Sequence, residues 1–495
     1  MTLAEIKRIS ILQWSALFTV IAGAALVQGH FGFHPDVSWL LTLNERLIAG
    51  EKLYVDLLVV NPAVAVWVYR IPVLLAEATG IRAEIVLHLM MAMTACASFA
   101  ATIAILRNAK LINPQQAVWL VISLLALFYL VSAHTFAERE HIALFGLLPW
   151  LALQAWRCEN AGQKPHWAAI VVCGVGCAAI VLVKPYYALT ILVPVVVMCV
   201  QSRSLKPAFY LENLMGAALT IGFTGLFVAL HPAFFANMME IIMSTYAPYS
   251  TPFRLGYHTF VLTVVLASIT LRVRPRAWAP LTTLLIASAI GHLAALWIMG
   301  RALPYHVFPS YVLIALAVMS MYRSPEAARN TTYLPALICL AAIWAGLRAF
   351  AAVGPASVEL QHYLADNHAG KTFLPISHVM EDGHPISRAA GLQFVGPAAF
   401  LSTTVYGDAV AMQSGTDNPA LLAQIEHSKS LEHAAFRDAI FNRKPAIVVI
   451  PETLATLKPE ALNRIWLQEG PRGRPVDLYD LQSRVDGFRV YALRQ

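Results

Sequence analysis

The sequence has little charge. Of its 495 residues only 13% are Asp, Glu, Lys or Arg, while 58% are hydrophobic, and the mean hydropathy is +0.62. A soluble globular chain carries about 25% charged residues. The composition therefore excludes an ordinary soluble enzyme, and it equally excludes a disordered chain or a coiled coil.

Cysteine is scarce as well. The six cysteines all lie within or beside apolar segments, and none follows position 339. This distribution predicts no disulfide framework and no structural zinc site. The sequence also lacks a P-loop or dinucleotide-binding fingerprint in a credible context.

What the sequence has in abundance is long apolar runs, of about 16–24 residues each, which is enough to cross a hydrocarbon core roughly 30 Å thick. They predict a polytopic α-helical membrane protein with eleven transmembrane helices and a cytoplasmic N-terminus. The predicted spans are 11–29, 84–106, 116–134, 141–156, 168–183, 186–201, 209–230, 257–272, 278–298, 305–322 and 332–353.

A further apolar run at 63–79 contains Arg70, Pro72 and Glu77. If this run lies on the outer surface as an amphipathic interfacial helix, the predicted cytoplasmic connections hold eleven Lys and Arg and the short outer ones hold four. Positive charge is concentrated in cytoplasmic loops, so we predict that 63–79 is interfacial. The net charge of +7 then reflects membrane topology, and we expect no nucleic-acid partner.

The composition changes near position 354. Residues 355–495 are richer in charge and turn residues and contain a buried-strand pattern at Ala446–Ile450, and about 140 residues can build a core. We therefore predict two domains, a membrane domain at 1–353 and a soluble α/β domain at 354–495. After an odd number of spans the second domain lies outside the cytoplasm, which suggests a bacterial inner-membrane protein with an extracytoplasmic domain.

This topology gathers ionisable residues on the outer face. Such residues are costly beside apolar spans unless they are paired or functional. Simpler explanations remain open for each of them. Lys184 is then part of a solvated turn, Arg301 is an interfacial anchor, His306 is a packed histidine, and residues 138–141 form a self-neutralised loop. The candidates are Asp36, Glu138, Arg139, Glu140, His141, Lys184, Arg301, Tyr305 and His306.

The first outer loop has a recognisable pattern. Asp36 follows the first span, then come Gly50-x-x-x-Tyr54-x-Asp56 and Asn61-Pro62. This loop resembles that of the GT-C superfamily of membrane glycosyltransferases, which includes lipid A aminoarabinose transferases, protein O-mannosyltransferases and arabinosyltransferases. The Pro-Pro pair usual in the family is reduced here to Pro62-Ala63. The second loop of the family carries acidic residues, a place that 138–141 occupies.

The resemblance implies an inverting hexosyl- or pentosyltransferase. The donor would be a sugar on polyprenyl phosphate, and the acceptor a hydroxyl of a cell-envelope glycan, lipid or protein, with membrane lipids around the helices. Asp36 is the expected catalytic base. Donor-phosphate binding is expected from Lys184, Tyr187, Arg301, Tyr305 and His306. Acceptor binding or catalytic support is expected from Asp56, Glu138, Arg139, Glu140 and His141.

No cofactor is expected, and a divalent metal is not favoured because adjacent residues such as 140 and 141 rarely face one ion. Two alternatives stay open. One is a lipid-linked glycan polymerase or ligase. The other is a transporter or flippase for a lipid-linked or small polar substrate, although transporters carry ionisable groups near the bilayer midplane and internal repeats.

Overall fold

The computed structural model describes residues 10–31, 33–272, 279–321, 357–415 and 418–494. The chain divides into two compact units. As far as they are described, the first unit consists of Met1–Phe33, Thr79–Leu226 and Thr251–Val353. The second consists of His34–Ala78, Phe227–Ser250 and Gly354–Gln495.

The first unit is a bundle of long apolar helices. Eight helices of the described residues are long and apolar enough to cross a membrane, and a ninth apolar helix, Trp167–Val183, is slightly shorter. In chain order the helices of this unit are α1 (Ile11–Phe31), α5 (Ala83–Asn108), α6 (Pro114–Val131), α7 (Arg139–Glu159), α8 (Trp167–Val183), α9 (Pro185–Ser202), α10 (Leu211–Leu230), α11 (Pro252–Arg272), α12 (Pro280–Met299) and α13 (Pro304–Met321).

Helix α7 lies at the centre of this bundle. Sixteen of its 21 residues are buried, which is the pattern of a helix surrounded by protein on all sides. Gly146 on α7 faces Gly176 on α8, and a methyl group added to Gly146 would lie 2.8 Å from the Gly176 Cα. Paired small residues let helix backbones approach this closely, and the crossing fixes α8 against α7.

The second unit begins with three short helices, α2 (Pro35–Ile48), α3 (Ala63–Trp67) and α4 (Arg70–Thr79). Pro35 occupies the first turn of α2, where its missing N–H costs nothing, and the preceding His34 accepts the backbone N–H of Asp36. Short helical pieces also cover Phe234–Met238, Met239–Ile241 and Ile242–Tyr246.

The C-terminal part of this unit is an α/β layer. Its five strands are β1 (Thr372–Pro375), β2 (Gln393–Phe394), β3 (Ile447–Pro451), β4 (Tyr479–Val485) and β5 (Phe488–Leu493), in the spatial order β2-β1-β3-β5-β4. The β1–β2 and β1–β3 pairs are parallel and the other two pairs are antiparallel. Its helices are α14 (Val358–His368), α15 (Ile386–Ala389), α16 (Ser402–Ser414), α17 (Pro419–Arg443), α18 (Glu452–Leu457) and α19 (Pro459–Leu462).

All five residues of β3 are buried, because the strand lies in the middle of the sheet. Its Val448 and Ile450 pack in one core with Phe436 and Ile440 of α17. A continuous run of β-branched residues suits a strand covered on both faces. The prediction of a buried strand at Ala446–Ile450 is therefore confirmed, with a shift of one residue.

The predicted fold class is confirmed: a polytopic helical membrane protein with a C-terminal α/β part. Ten of the eleven predicted spans coincide with helices, and the span at 332–353 lies outside the described residues. The run 63–79 is helical but breaks after Trp67 into α3 and α4. Its interfacial location remains a prediction, as do the domain limits at 1–353 and 354–495.

Candidate functional site

The Glu140 carboxylate is the centre of a buried polar group in the first unit. Its Oε1 lies 2.5 Å from Lys184 Nζ, 3.3 Å from Tyr187 Oη and 3.8 Å from His306 Nε2. The Glu140 and His306 side chains are completely buried, and that of Lys184 is 12% exposed. The structure thus brings together four of the predicted site residues from three separate stretches of sequence.

Local sequence explains how Lys184 and Tyr187 reach this place. Helix α8 ends at Val183, Lys184 is extended, and Pro185 starts a 3-10 turn that contains Tyr187. Proline fixes φ for the first turn of the following helix. The ammonium group and the phenol consequently project from the junction of two spans towards the first turn of α7.

A second junction contributes Tyr305 and His306. Helix α12 ends at Met299 and is capped by Gly300, which adopts a left-handed conformation with φ of 71°, and α13 begins at Pro304. The two rings are in contact, with centroids 4.4 Å apart. Lys184 Nζ lies 5.4 Å from the centroid of the Tyr305 ring, a cation–π geometry that stabilises a partly desolvated ammonium group.

Further cations belong to the same region. Arg301 is 5% exposed and Arg139 is 3% exposed. Their charges, together with that of Lys184, act on His306. Glu138 Oε2 lies 4.0 Å from Arg139 Nε, and Glu138 is fully buried. The first turn of α7 thus holds both acidic and basic groups, and an acidic group at a helix N-terminus is favoured by the helix dipole.

His141 has a different environment from Glu140. Its ring packs among Phe128, Phe136, Phe145 and Phe308, with centroid distances of 5.1–5.5 Å. Its Nδ1 accepts the backbone N–H of Ala137. These aromatic neighbours favour a packing role for His141, and its predicted part in acceptor binding stays a prediction.

Sequence reasoning missed three residues that support this group. On α12, His292 Nδ1 is 2.7 Å from Ser310 Oγ, and the His292 ring lies 4.8 Å from that of Tyr187. Thr190 lines the same small cleft as His292 and Glu140. Among the described residues, Glu140 Oε2, Thr190 Oγ1 and His292 Nε2 have no hydrogen-bond partner. The signal available in the sequence was a histidine in the middle of an apolar span.

Asp36 belongs to the second unit and occupies the first turn of α2. Its side chain is 19% exposed, and its Oδ2 lies 4.0 Å from His34 Nδ1. That nitrogen already accepts the backbone N–H of Asp36 at 3.2 Å. His34 therefore orients the start of α2.

Asp56 closes a turn, because its Oδ2 accepts the backbone N–H of Lys52 at 2.8 Å. Tyr54 is fully buried, and its ring packs against Phe227 and Phe234. Both belong with Tyr54 to the second unit, which includes the last turn of α10. In the Gly-x-x-x-Tyr-x-Asp pattern, the buried tyrosine ring and the turn closed by the aspartate thus fix the shape of the loop. A direct role of Asp56 in acceptor binding remains a prediction.

The architecture is that of a polytopic membrane protein joined to a small α/β layer. No protein-family model and no curated protein matches the sequence. Among solved structures, the fold matches the crystal structure of ArnT from Cupriavidus metallidurans in the apo state, with a TM-score of 0.57, 14% identity and 97% of each chain covered. This likeness shows the fold, and it agrees with the resemblance predicted from the first outer loop.

Proposed function

We propose that this protein is an integral-membrane glycosyltransferase. It transfers a sugar from a polyprenyl-phosphate donor to an acceptor hydroxyl, with inversion at the anomeric carbon, on the outer face of the cytoplasmic membrane. The GT-C-like fold supports the general class. The donor, the acceptor and the side of the membrane belong to the proposal.

The observation that carries the proposal is the grouping of Lys184, Tyr187 and His306 around Glu140 where spans begin and end. Buried ionisable groups at the edge of a membrane domain are costly and mark functional sites. In a prenyl-phosphate donor the isoprenoid tail lies among the lipids and the phosphate at the interface. A cationic site at span ends suits that ligand.

The chemistry assigns a distinct task to Lys184. The donor is a phosphodiester with one negative charge, and the departing prenyl phosphate is a monoester with two. An ammonium group has three N–H donors, and Glu140 uses one of them. Lys184 can therefore remain fixed by Glu140 while it donates to phosphate oxygens, and a preoriented cation stabilises charge that develops in the transition state.

Asp36 is proposed as the base. The acceptor oxygen attacks the anomeric carbon as the bond from that carbon to the phosphate oxygen breaks, and the electron pair leaves with the phosphate. The hydroxyl proton passes to the Asp36 carboxylate. His34 caps the helix that carries Asp36, which restricts where the carboxylate can lie.

The proposed topology is supported by the composition of the second unit. The C-terminal segment, which is the described part of 354–495, packs in one unit with residues 34–78 and 227–250. The three segments therefore lie on one side of a membrane. Six long helices, α5 to α10, separate the first two segments, and an even number of crossings returns the chain to the same side. Helix α4 has ten residues and is about 15 Å long, too short to span.

The test is sugar transfer by purified protein in nanodiscs, using a panel of radiolabelled polyprenyl-monophosphate sugars. We expect Lys184→Gln to lower kcat/KM by about 100-fold or more. Lys164→Gln is the matched control, because Lys164 is exposed in a connection between helices and should behave as wild type. Equal activity of Lys184→Gln and wild type would refute the phosphate-binding role.

Asp36→Asn tests the base and should reduce kcat by about 100- to 10,000-fold. NMR of the product must show the opposite anomeric configuration to the donor. If no member of the panel reacts, while a labelled prenyl-phosphate sugar crosses proteoliposomes that contain the protein, the glycosyltransferase proposal fails in favour of a flippase.

A further inference from the structure

Helix α2, which carries Asp36, is fastened to the C-terminal segment of the second unit. In its first half, Trp39 is 4% exposed and its ring contacts the rings of His384 and Phe394, at centroid distances of 5.3 and 5.5 Å. Aromatic contacts of this kind stabilise the packing beyond the burial of apolar surface alone. The hydrophobic contact fixes the first half of the helix.

The second attachment is polar. Arg388 donates from Nη1 to Glu45 Oε2 at 2.7 Å and to Thr42 Oγ1 at 3.2 Å. Its side chain is 11% exposed. Because one guanidinium nitrogen holds two successive turns of α2, the contact restricts rotation of the helix as well as its distance from α15.

The third attachment lies at the C-terminal end of α2. Arg46 is 7% exposed and donates to both carboxylate oxygens of Glu51, at 3.1 and 2.7 Å, and to the backbone carbonyl of Gly396. Arg443 of α17 also donates to both Glu51 oxygens, at 2.8 and 3.3 Å. Partial burial disfavours the charged form of Glu51, but hydrogen bonds from Arg443 and Arg46 hold its pKa below the usual value.

These anchors share one side of α2. At 100° per residue, Trp39, Thr42, Glu45 and Arg46 point within about 120° of one another, whereas Asp36 points about 110° away from their mean direction. The C-terminal segment therefore contacts the helix on a different face from the one that carries Asp36. An isolated helix of 14 residues is marginal in water, so the direction of α2 depends on tertiary contacts such as these.

We infer that the C-terminal segment is a positioning device for the base: through Arg46, Arg388 and Trp39 it sets the orientation of α2 and hence of the Asp36 carboxylate. The inference rests on the proposed function for its catalytic consequence, but the anchoring itself can be measured without any substrate. It assigns a role to residues 354–495, which carry no recognisable motif. The three named residues act through Asp36 and contact no reacting atom.

The first experiment is hydrogen–deuterium exchange on the full-length protein in nanodiscs. Arg388→Gln and the milder Arg46→Lys should each increase exchange of the amides in 38–48 by about 10-fold or more. Arg472→Gln is the matched control, because Arg472 pairs with Asp438 on the exposed surface of the same segment and should leave this exchange unchanged. Unaltered exchange in both anchor variants would refute the anchoring.

The second experiment is a double-mutant cycle with sugar transfer as the readout. Displacing a reacting group by about 1 Å can cost about 100-fold in rate, so Arg388→Gln should lower kcat by 10- to 100-fold with little change in the donor KM. In the Asp36→Asn background the same substitution should have no further effect, because the group that it displaces is already lost.

The outcomes separate the two proposals. Full activity of Asp36→Asn removes the proposed base, while the exchange result still decides whether α2 is anchored. An inactive Asp36→Asn combined with wild-type kcat for Arg388→Gln overturns the positioning role alone. Multiplicative losses in the cycle overturn it too, since they mean that Arg388 acts independently of Asp36.

Discussion

Replacement of Lys184 by Met removes the positive partner of a completely buried carboxylate. Glu140 has no exposed side-chain surface, and Lys184 Nζ is the cation on its Oε1 at 2.5 Å. An uncompensated buried charge costs about 3–5 kcal/mol. Tyr187 Oη, at 3.3 Å, and His306 Nε2, at 3.8 Å, offset part of that cost, which places the expected destabilisation near the lower end, about 3 kcal/mol.

The companion variant replaces both partners. In Lys184→Met with Glu140→Gln, no charge is left buried and unpaired, and substitution of a buried ion pair by neutral groups is often close to neutral. The double variant should therefore recover most of the stability lost in Lys184→Met. It should not recover sugar transfer, because the proposed phosphate-binding cation is absent from both proteins.

The assay is equilibrium unfolding in mixed detergent micelles, followed by tryptophan fluorescence, with Lys164→Met as the control for loss of an exposed lysine. A double variant as unstable as Lys184→Met would mean that the two residues are not energetically coupled. If the double variant recovers transfer activity along with stability, Lys184 has a purely structural role.

Three further predictions concern other parts of the molecule. Gly291→Ala should destabilise the helical bundle by about 1–3 kcal/mol, because the added methyl group would lie 2.1 Å from the carbonyl oxygen of Leu189. Thermal unfolding measures this, with Gly222→Ala as the control because a methyl group at Gly222 meets no atom within 4 Å. Burial raises the pKa of Asp382 to about 6, so ionisation of this carboxyl group opposes folding increasingly as the pH rises from about 4 to above 6. Asp382→Asn should therefore be more stable than wild type by up to about 3 kcal/mol at pH 8. Equal effects of the substitution on the free energy of unfolding at pH 4 and pH 8 would contradict this. Tyr54→Phe loses the hydrogen bond to the Asn61 carbonyl oxygen and should destabilise the first loop by about 1 kcal/mol, which amide exchange in 50–62 measures.

Much of the fold follows from the length and position of the apolar runs alone. Uninterrupted apolar runs leave the chain no alternative to helices in a hydrocarbon environment, since every backbone N–H must be bonded within its own segment. The buried strand at 447–451 is equally local, because it is a run of β-branched residues between turn signals. The ends of the helices were predicted less accurately, as at α6, which ends at Val131 whereas the predicted span runs to 134.

The candidate site was predictable only in part. Lys184 and Glu140 stand out in the sequence because charges next to apolar runs are unusual. His292, Ser310 and Thr190 do not, because any one polar residue within a span resembles a packed side chain. Their grouping depends on helix rotation, which is set by close contacts such as Gly291 with Leu189.

The sequence by itself determined that the chain crosses a membrane many times and carries a separate α/β segment, because hydrophobicity and periodicity are local properties. Tertiary structure alone decided that the first loop, residues 227–250 and the C-terminal segment form one unit. It also decided that Arg443 pairs with Glu51, and Arg388 with Glu45, within that unit. Such contacts join positions hundreds of residues apart, and their stability depends on matching shapes and charges that no single segment contains.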